Sequence, residues 1–254
     1  MLLEVSNVGK RFAGLEALRN VTFSITEGKI YGLIGPNGAG KTTLFNAITG
    51  MLPASTGTIF FEGQDISRLR PHQIARCGIA RTYQLVRPFH DLNVRENVEV
   101  GLLFGRKDPL STKVDLNSET SRYMGWADLT DKALERVSAL NLGERKRLEI
   151  AKALAARPKL ILFDEVLAGL NPTETVRAIE LFRRIRAEGI TILMIEHNMQ
   201  AIMTACEHIL VLHHGELIGE GRPQDVSSNP KVVEAYLGRK DLRLERRQRV
   251  NSHA

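Results

Sequence analysis

GPNGAGKTT, residues 35–43, decides the reading of this 254-residue chain. It matches G-x-x-x-x-G-K-[ST] through Gly35, Gly40, Lys41 and Thr42. The apolar run KIYGLI precedes it and TTLFNAITG follows, so the loop joins a strand to a helix. Glycines let such a loop turn its N–H groups inward as an anion-binding nest, and the following helix adds the positive end of its dipole. Gly35, Asn37, Gly38, Ala39, Gly40, Lys41, Thr42 and Thr43 are therefore read as a phosphate cradle. In this motif the lysine, Lys41, reaches the β- and γ-phosphates and the hydroxyl of Thr42 ligates Mg²⁺.

A second stretch, LILFDE (160–165), completes the chemistry. An apolar strand ending in Asp164 delivers a carboxylate beside the loop, where it holds the metal through water. Glu165 follows. Strand neighbours point to opposite faces, but at a strand's end the chain can aim both acids at the cleft. A carboxylate there can orient and deprotonate an attacking water. TKVD (112–115) imitates a guanine reader, but Asp65, Asp91 and Asp108 all lack the glycine three residues on that such proteins carry. It is read as a chance match in a solvated loop.

Strand-like runs alternate with helical segments, the pattern of an α/β fold with a mostly parallel sheet. The strands are placed at 2–6, 21–25, 29–35, 57–63, 160–165, 191–197 and 209–215. Thr26-Glu27-Gly28 reads as a hairpin turn between the second and third runs, so part of the sheet is expected to be antiparallel. From Val94 to Arg157 the pattern is helical, with 105–121 a polar loop. In 171–189, Pro172 and Gly189 punctuate a helix whose buried stripe is Ala178, Leu181, Phe182 and Ile185. No run of about 18 apolar residues occurs, and the N-terminus lacks a signal-peptide layout, so a cytoplasmic location is expected. Cys77 and Cys206 are read as reduced, buried thiols. The net charge of +6 concentrates in the tail 239–254, whose composition fits a frayed end or an anionic surface better than nucleic acid.

The phrases IGPNGAGKTTLFNAITG, GIARTYQ, NVRENVEVGL, RLEIAKALAARPKLILFDEVLAGLNPTE and IEHNM make the chain resemble ATP-binding subunits of ABC transporters over essentially its whole length. The likeness is greatest to the LivG-type subunits of branched-chain amino acid importers. The resemblance implies one ATP-binding domain over 1–254: a P-loop NTPase α/β core, an antiparallel β-subdomain and a helical subdomain at about 85–157. It implies that Gln84 contacts Mg²⁺, that His197 contacts the γ-phosphate, and that Phe12 stacks on adenine, where simple core packing is the competing reading. Residues 168–171 resemble the loop that crosses to a partner subunit, and 87–97 the segment that transmits motion to membrane subunits, with Asn93 an N-cap.

By the same resemblance, Leu140-Asn141-Leu142-Gly143-Glu144 occupies the family signature, usually close to L-S-G-G-Q. Asn141, Leu142, Gly143 and Glu144 are then expected to form a bare, glycine-opened helix start that closes over ATP held by another subunit. Glu144 would repel a triphosphate unless it turns away or pairs with Arg145, Lys146 or Arg147. The implied assembly holds two ATP with Mg²⁺. Its other parts are a second ATP-binding subunit (a copy or a LivF-like relative), transmembrane permease subunits and, indirectly, a solute-binding protein. The chain would lie on the inner face of the membrane. A different class, an ATP-binding regulator with weak turnover, draws on the altered signature, while Glu165 and His197 speak against it. A DNA-associated ATPase of this family lacks support, since no sustained heptads occur.

Overall fold

A computed structural model describes residues 1–84, 88–105 and 115–236. The antiparallel sheet contains β1 (Leu3–Phe12), β2 (Leu15–Ile25), β4 (Thr56–Phe61) and β5 (Gln64–Asp65), in the order β2-β1-β4-β5. The second sheet contains β3 (Ile30–Ile34), β6 (Ile79–Arg81), β7 (Leu160–Asp164), β8 (Thr191–Ile195), β9 (His208–His213) and β10 (Glu216–Gly221). Its order is β10-β9-β3-β8-β7-β6, parallel throughout except for β10 against β9. The helices include α1 (Lys41–Ile48), α2 (Pro71–Cys77), α3 (Val94–Phe104), α4 (Leu116–Trp126), α5 (Leu142–Ala155), α6 (Pro172–Ala187), α7 (Met199–Ala205) and α8 (Pro223–Ser227).

Every residue of β3, β7 and β8 is buried, which is why they read as unbroken apolar runs: a parallel sheet is covered on both faces. One covering layer holds α1, whose Leu44, Phe45, Ala47 and Ile48 are buried between the two sheets. The opposite layer holds α5, α6 and α7, with Phe182 and Ile185 of α6 fully buried, Leu181 buried and Ala178 partly so. Side by side, β3, β8, β7 and β6 run in one direction, so their carboxyl ends share one edge, where open α/β sheets bind ligands.

Two expectations are corrected. The runs at 21–25 and 29–35 do not pair. β2 instead folds back on β1 across Ala13-Gly14, with Phe12 opposite Leu15, while β3 joins the other sheet. Thr26-Glu27-Gly28 is a crossing between sheets: Gly28 N donates to Thr191 Oγ1 (3.0 Å) and Thr26 N to the Tyr31 hydroxyl (3.0 Å). The stretch 105–121 is not all loop. Its end belongs to α4, capped by Asp115, whose side chain accepts from Asn117 N. The buried face of α4 (Thr120, Tyr123, Met124, Trp126) lies under a polar first half. Residues 112–114 of TKVD, residue 87 and the tail 239–254 lie outside the described residues.

Cys77 and Cys206 are free; Cys206 is buried, its thiol pushed up to about 12 by desolvation, but Cys77 is only partly buried. Among the described residues no helix is long and apolar enough to cross a membrane.

Candidate nucleotide site

The glycines at both ends of the loop are there for space. A Cβ on Gly35 would lie 2.0 Å from the Leu212 carbonyl oxygen, and one on Gly40 2.6 Å from that of Ala17. Gly40 also takes φ +104, a conformation that side chains rarely adopt. Gly40 caps α1 with no side-chain hydrogen bond, so the first amides of the helix have no partner within it. Those amides open on a cavity of about 420 Å³, within the range of small-ligand pockets. Phe12, Asn37, Gly38, Ala39, Gly40, Lys41, Thr42, Thr43, Glu165 and His197 all line it. Phe12 is 40% exposed, which removes the core-packing reading, and Lys10 Nζ lies 5.2 Å from its ring centre. Lys41 folds back over its own loop, donating to the carbonyls of Gly35 (2.7 Å) and Pro36 (3.0 Å). Desolvation lowers its pKa, opposed by the nearby charges of Glu165 and Asp164.

The acidic pair points two ways. Glu165 takes φ +53 just past β7, and the turn carries its carboxylate into the cavity. There Gln84 Nε2 donates to Glu165 Oε2 (2.7 Å), and His197 Nε2 lies 2.9 Å from Oε1. Three separate strand ends thus meet on one carboxylate. Asp164 stays beneath, and Arg81 Nη2 donates to its Oδ2 at 2.6 Å. Arg81 also donates to Asn46 Oδ1 of α1 (2.7 Å). Both partners of this ion pair are almost wholly buried, so removing either would strand a charge. Gly35, Gln84 and Asp164 are not on the cavity wall; they stand behind or beside it.

The signature stretch is elsewhere and is not bare. α5 begins at Leu142 with Asn141 as its N-cap. Asn141 Oδ1 accepts from Glu144 N (2.9 Å), and Glu144 Oε2 accepts from Asn141 N (2.8 Å). This reciprocal box reaches the amides of Asn141 and Glu144 and no others, so those of Leu142 and Gly143 are not closed by it. Glu144 does turn aside, but its cation is Lys132 (3.5 Å), not a neighbour on its own helix. The same box closes α3 through Asn93 and Glu96, and α6 through Asn171 and Glu174. Gly143 leaves room for Glu174: a Cβ there would lie 2.7 Å from its Oε1.

A sequence profile described as ABC transporter matches residues 18–168. A second, described as branched-chain amino acid ATP-binding cassette transporter, matches 216–241. The chain belongs to the ABC transporter family. It is 36% identical over 249 residues to the high-affinity branched-chain amino acid transport ATP-binding protein BraF of Pseudomonas aeruginosa, covering 93% of this chain and 98% of that one. It is 38% identical, with the same coverage, to LivG of Escherichia coli K12, which has the same description. It superposes with TM-score 0.84 and 33% identity on the ADP conformation of an ABC transporter cassette, covering 93% and 98%. The fold is that of an ABC-type P-loop cassette, as the resemblance implied.

Two residues of this cassette escaped the sequence reading, and a third, Lys146, was named there only as a possible partner of Glu144. Arg81 sat inside the quoted GIARTYQ without a role. Lys146 and Glu196 are buried at 8% and 4% exposure and approach the turn after Glu165 from two sides. For Arg81 and Glu196 a charge directly after an apolar run was the available signal; Lys146, between Arg145 and Arg147, carried none.

Proposed function

We propose that this chain is the ATP-hydrolysing subunit of an importer of branched-chain or other amino acids. It works as a pair with a second cassette, a copy or a LivF-like relative, on the inner face of the membrane. The observation that carries the ATPase reading is the meeting of Gln84 and His197 on Glu165 beside the open amides of α1. Phe12 offers an exposed ring for the adenine. Lys41 and the α1 amides hold the phosphate tail, and their fixed charge suits the charge that grows on the γ-phosphoryl oxygens.

Thr42 lines the cavity and offers Mg²⁺ a hard hydroxyl oxygen, while the Gln84 carbonyl oxygen and the Asp164 carboxylate, which Arg81 holds behind the wall, would reach the ion through water. Bound there, the ion neutralises phosphate charge. Glu165 accepts the proton of the attacking water as that water's oxygen bonds to the γ-phosphorus and the bond to the β,γ-bridging oxygen breaks, while Gln84 and His197 hold the two carboxylate oxygens in place. The products are ADP and phosphate.

A groove of about 410 Å³ beside Gln84's strand is lined by Met51, Tyr83, Phe89, Val100 and Lys152. Met51 and Phe89 are about half exposed, and this apolar groove is assigned to the permease subunits. A second reading, a regulator that binds ATP with weak turnover, draws on the departures of 140–144 from the family signature.

Glu165→Gln separates them. Turnover of Mg²⁺-ATP should fall by about 10²-fold or more while nucleotide affinity holds. A wild-type rate no higher than that of the variant establishes the regulator instead.

A further inference from the structure

The turn 165–168 is gripped by two buried charges from different parts of the chain. On one side, Lys146 of α5 donates through Nζ to the Ala168 carbonyl and lies 3.4 Å from that of Glu165. On the other, Glu196, directly after β8, accepts from Leu167 N at 2.8 Å. Within the turn Ala168 N donates to the Glu165 carbonyl (3.2 Å), and Glu165 N to that of Ile195 (2.9 Å). Glu165 itself has φ +53, a costly state for a non-glycine residue that persists only when its surroundings over-determine it. Next along, Gly169 lies against Leu142 at the start of α5, so near that a Cβ would fall 3.2 Å from its Cδ2.

We infer that Lys146 is a positioning residue: with Glu196 opposite, it fixes the backbone that aims Glu165, and so ties the signature helix to the catalytic acid of its own chain. This rests on the ATPase reading for its consequence, but not for its geometry. Lys146 and Glu196 each favour the charged form of the other. Desolvation lowers the Lys146 pKa while Glu196 and Glu165 support its charge, and an ammonium so placed needs the carbonyls it has found. A displacement of α5 is thereby felt at Glu165 with no nucleotide between them. In a pair of cassettes, one chain's lid over its neighbour's phosphate would report to that chain's own site.

The test compares Lys146→Met and Lys146→Arg with the wild-type full chain, using amide hydrogen exchange and Mg²⁺-ATP kinetics. In Lys146→Met, amides of 165–171 should exchange at least about 10-fold faster while those of 35–43 keep their rates. Its kcat should fall about 10-fold with KM within about twofold, and Lys146→Arg should recover most of both. Unchanged exchange at 165–171, or a loss confined to KM, overturns the inference. Should Lys146→Met not fold, Lys146→Gln takes its place with the same readings. A wild-type chain that leaves ATP intact removes the ATPase reading, while the exchange comparison still decides the grip.

Discussion

Helices α1 and α5 both begin beside a glycine, near the same acidic turn, yet their first amides are in opposite states. At α1 the cap is Gly40, and no side chain reaches the amides, which face a cavity. At α5 the glycine is already inside the helix, and Asn141 and Glu144 close the first turn on themselves. The lesson is that glycine near a helix start does not by itself leave an anion site. The residue at the cap, and the one three places later, decide whether the amides are available.

The sharpest way to break the contrast is Lys41→Ala. Removing a charge-assisted partner of phosphate at the open start should weaken ATP binding about 10- to 100-fold by titration, with the melting temperature held. Unchanged affinity would erase the distinction between the two starts.

Next in size is a test of what lies behind α5. Burial pushes the Glu196 carboxyl up from 4.5 to about 7, against the pull of the Leu167 amide and Lys146. Between those values the folded chain keeps a proton that the unfolded chain has lost, so this group's contribution to stability falls as pH rises from about 4.5 to 7. Glu196→Gln lacks that dependence. Relative to wild type it should gain on the order of 2 kcal/mol between pH 5 and pH 8 in denaturant titrations. A constant difference would mean that Glu196 is charged throughout.

The smallest effect should come from Asn141→Ala. It opens the α5 cap at a cost of about 1 kcal/mol, or about 2–4 °C in melting temperature. Nucleotide affinity of the lone chain should hold, because those amides face no cavity of its own site.

The same contrast explains what could be read in advance. The phosphate loop was legible because a local string carries it whole: strand, glycines, lysine, hydroxyl, helix. β3, β7 and β8 were legible because burial on both faces keeps their middles apolar, with Asp164 and Thr191 only at strand ends. The partner of β2 was not, since pairing is set by which sheet a strand joins, and Thr26-Glu27-Gly28 makes a crossing look like a hairpin. Arg81 pairs with Asp164 across 83 positions, a distance no local pattern spans. The cap of α5 was written in the sequence as Asn-x-x-Glu, but Gly143 drew the helix boundary one residue too late.

Among the described helices of eight residues or more, α1 is the one whose N-terminus no side chain closes. Simple anions in the buffer, such as inorganic phosphate, therefore meet a backbone receptor at this start. Their inhibition of nucleotide binding should follow a single-site isotherm, a background count for any attempt to detect further anion sites contributed by an assembled transporter.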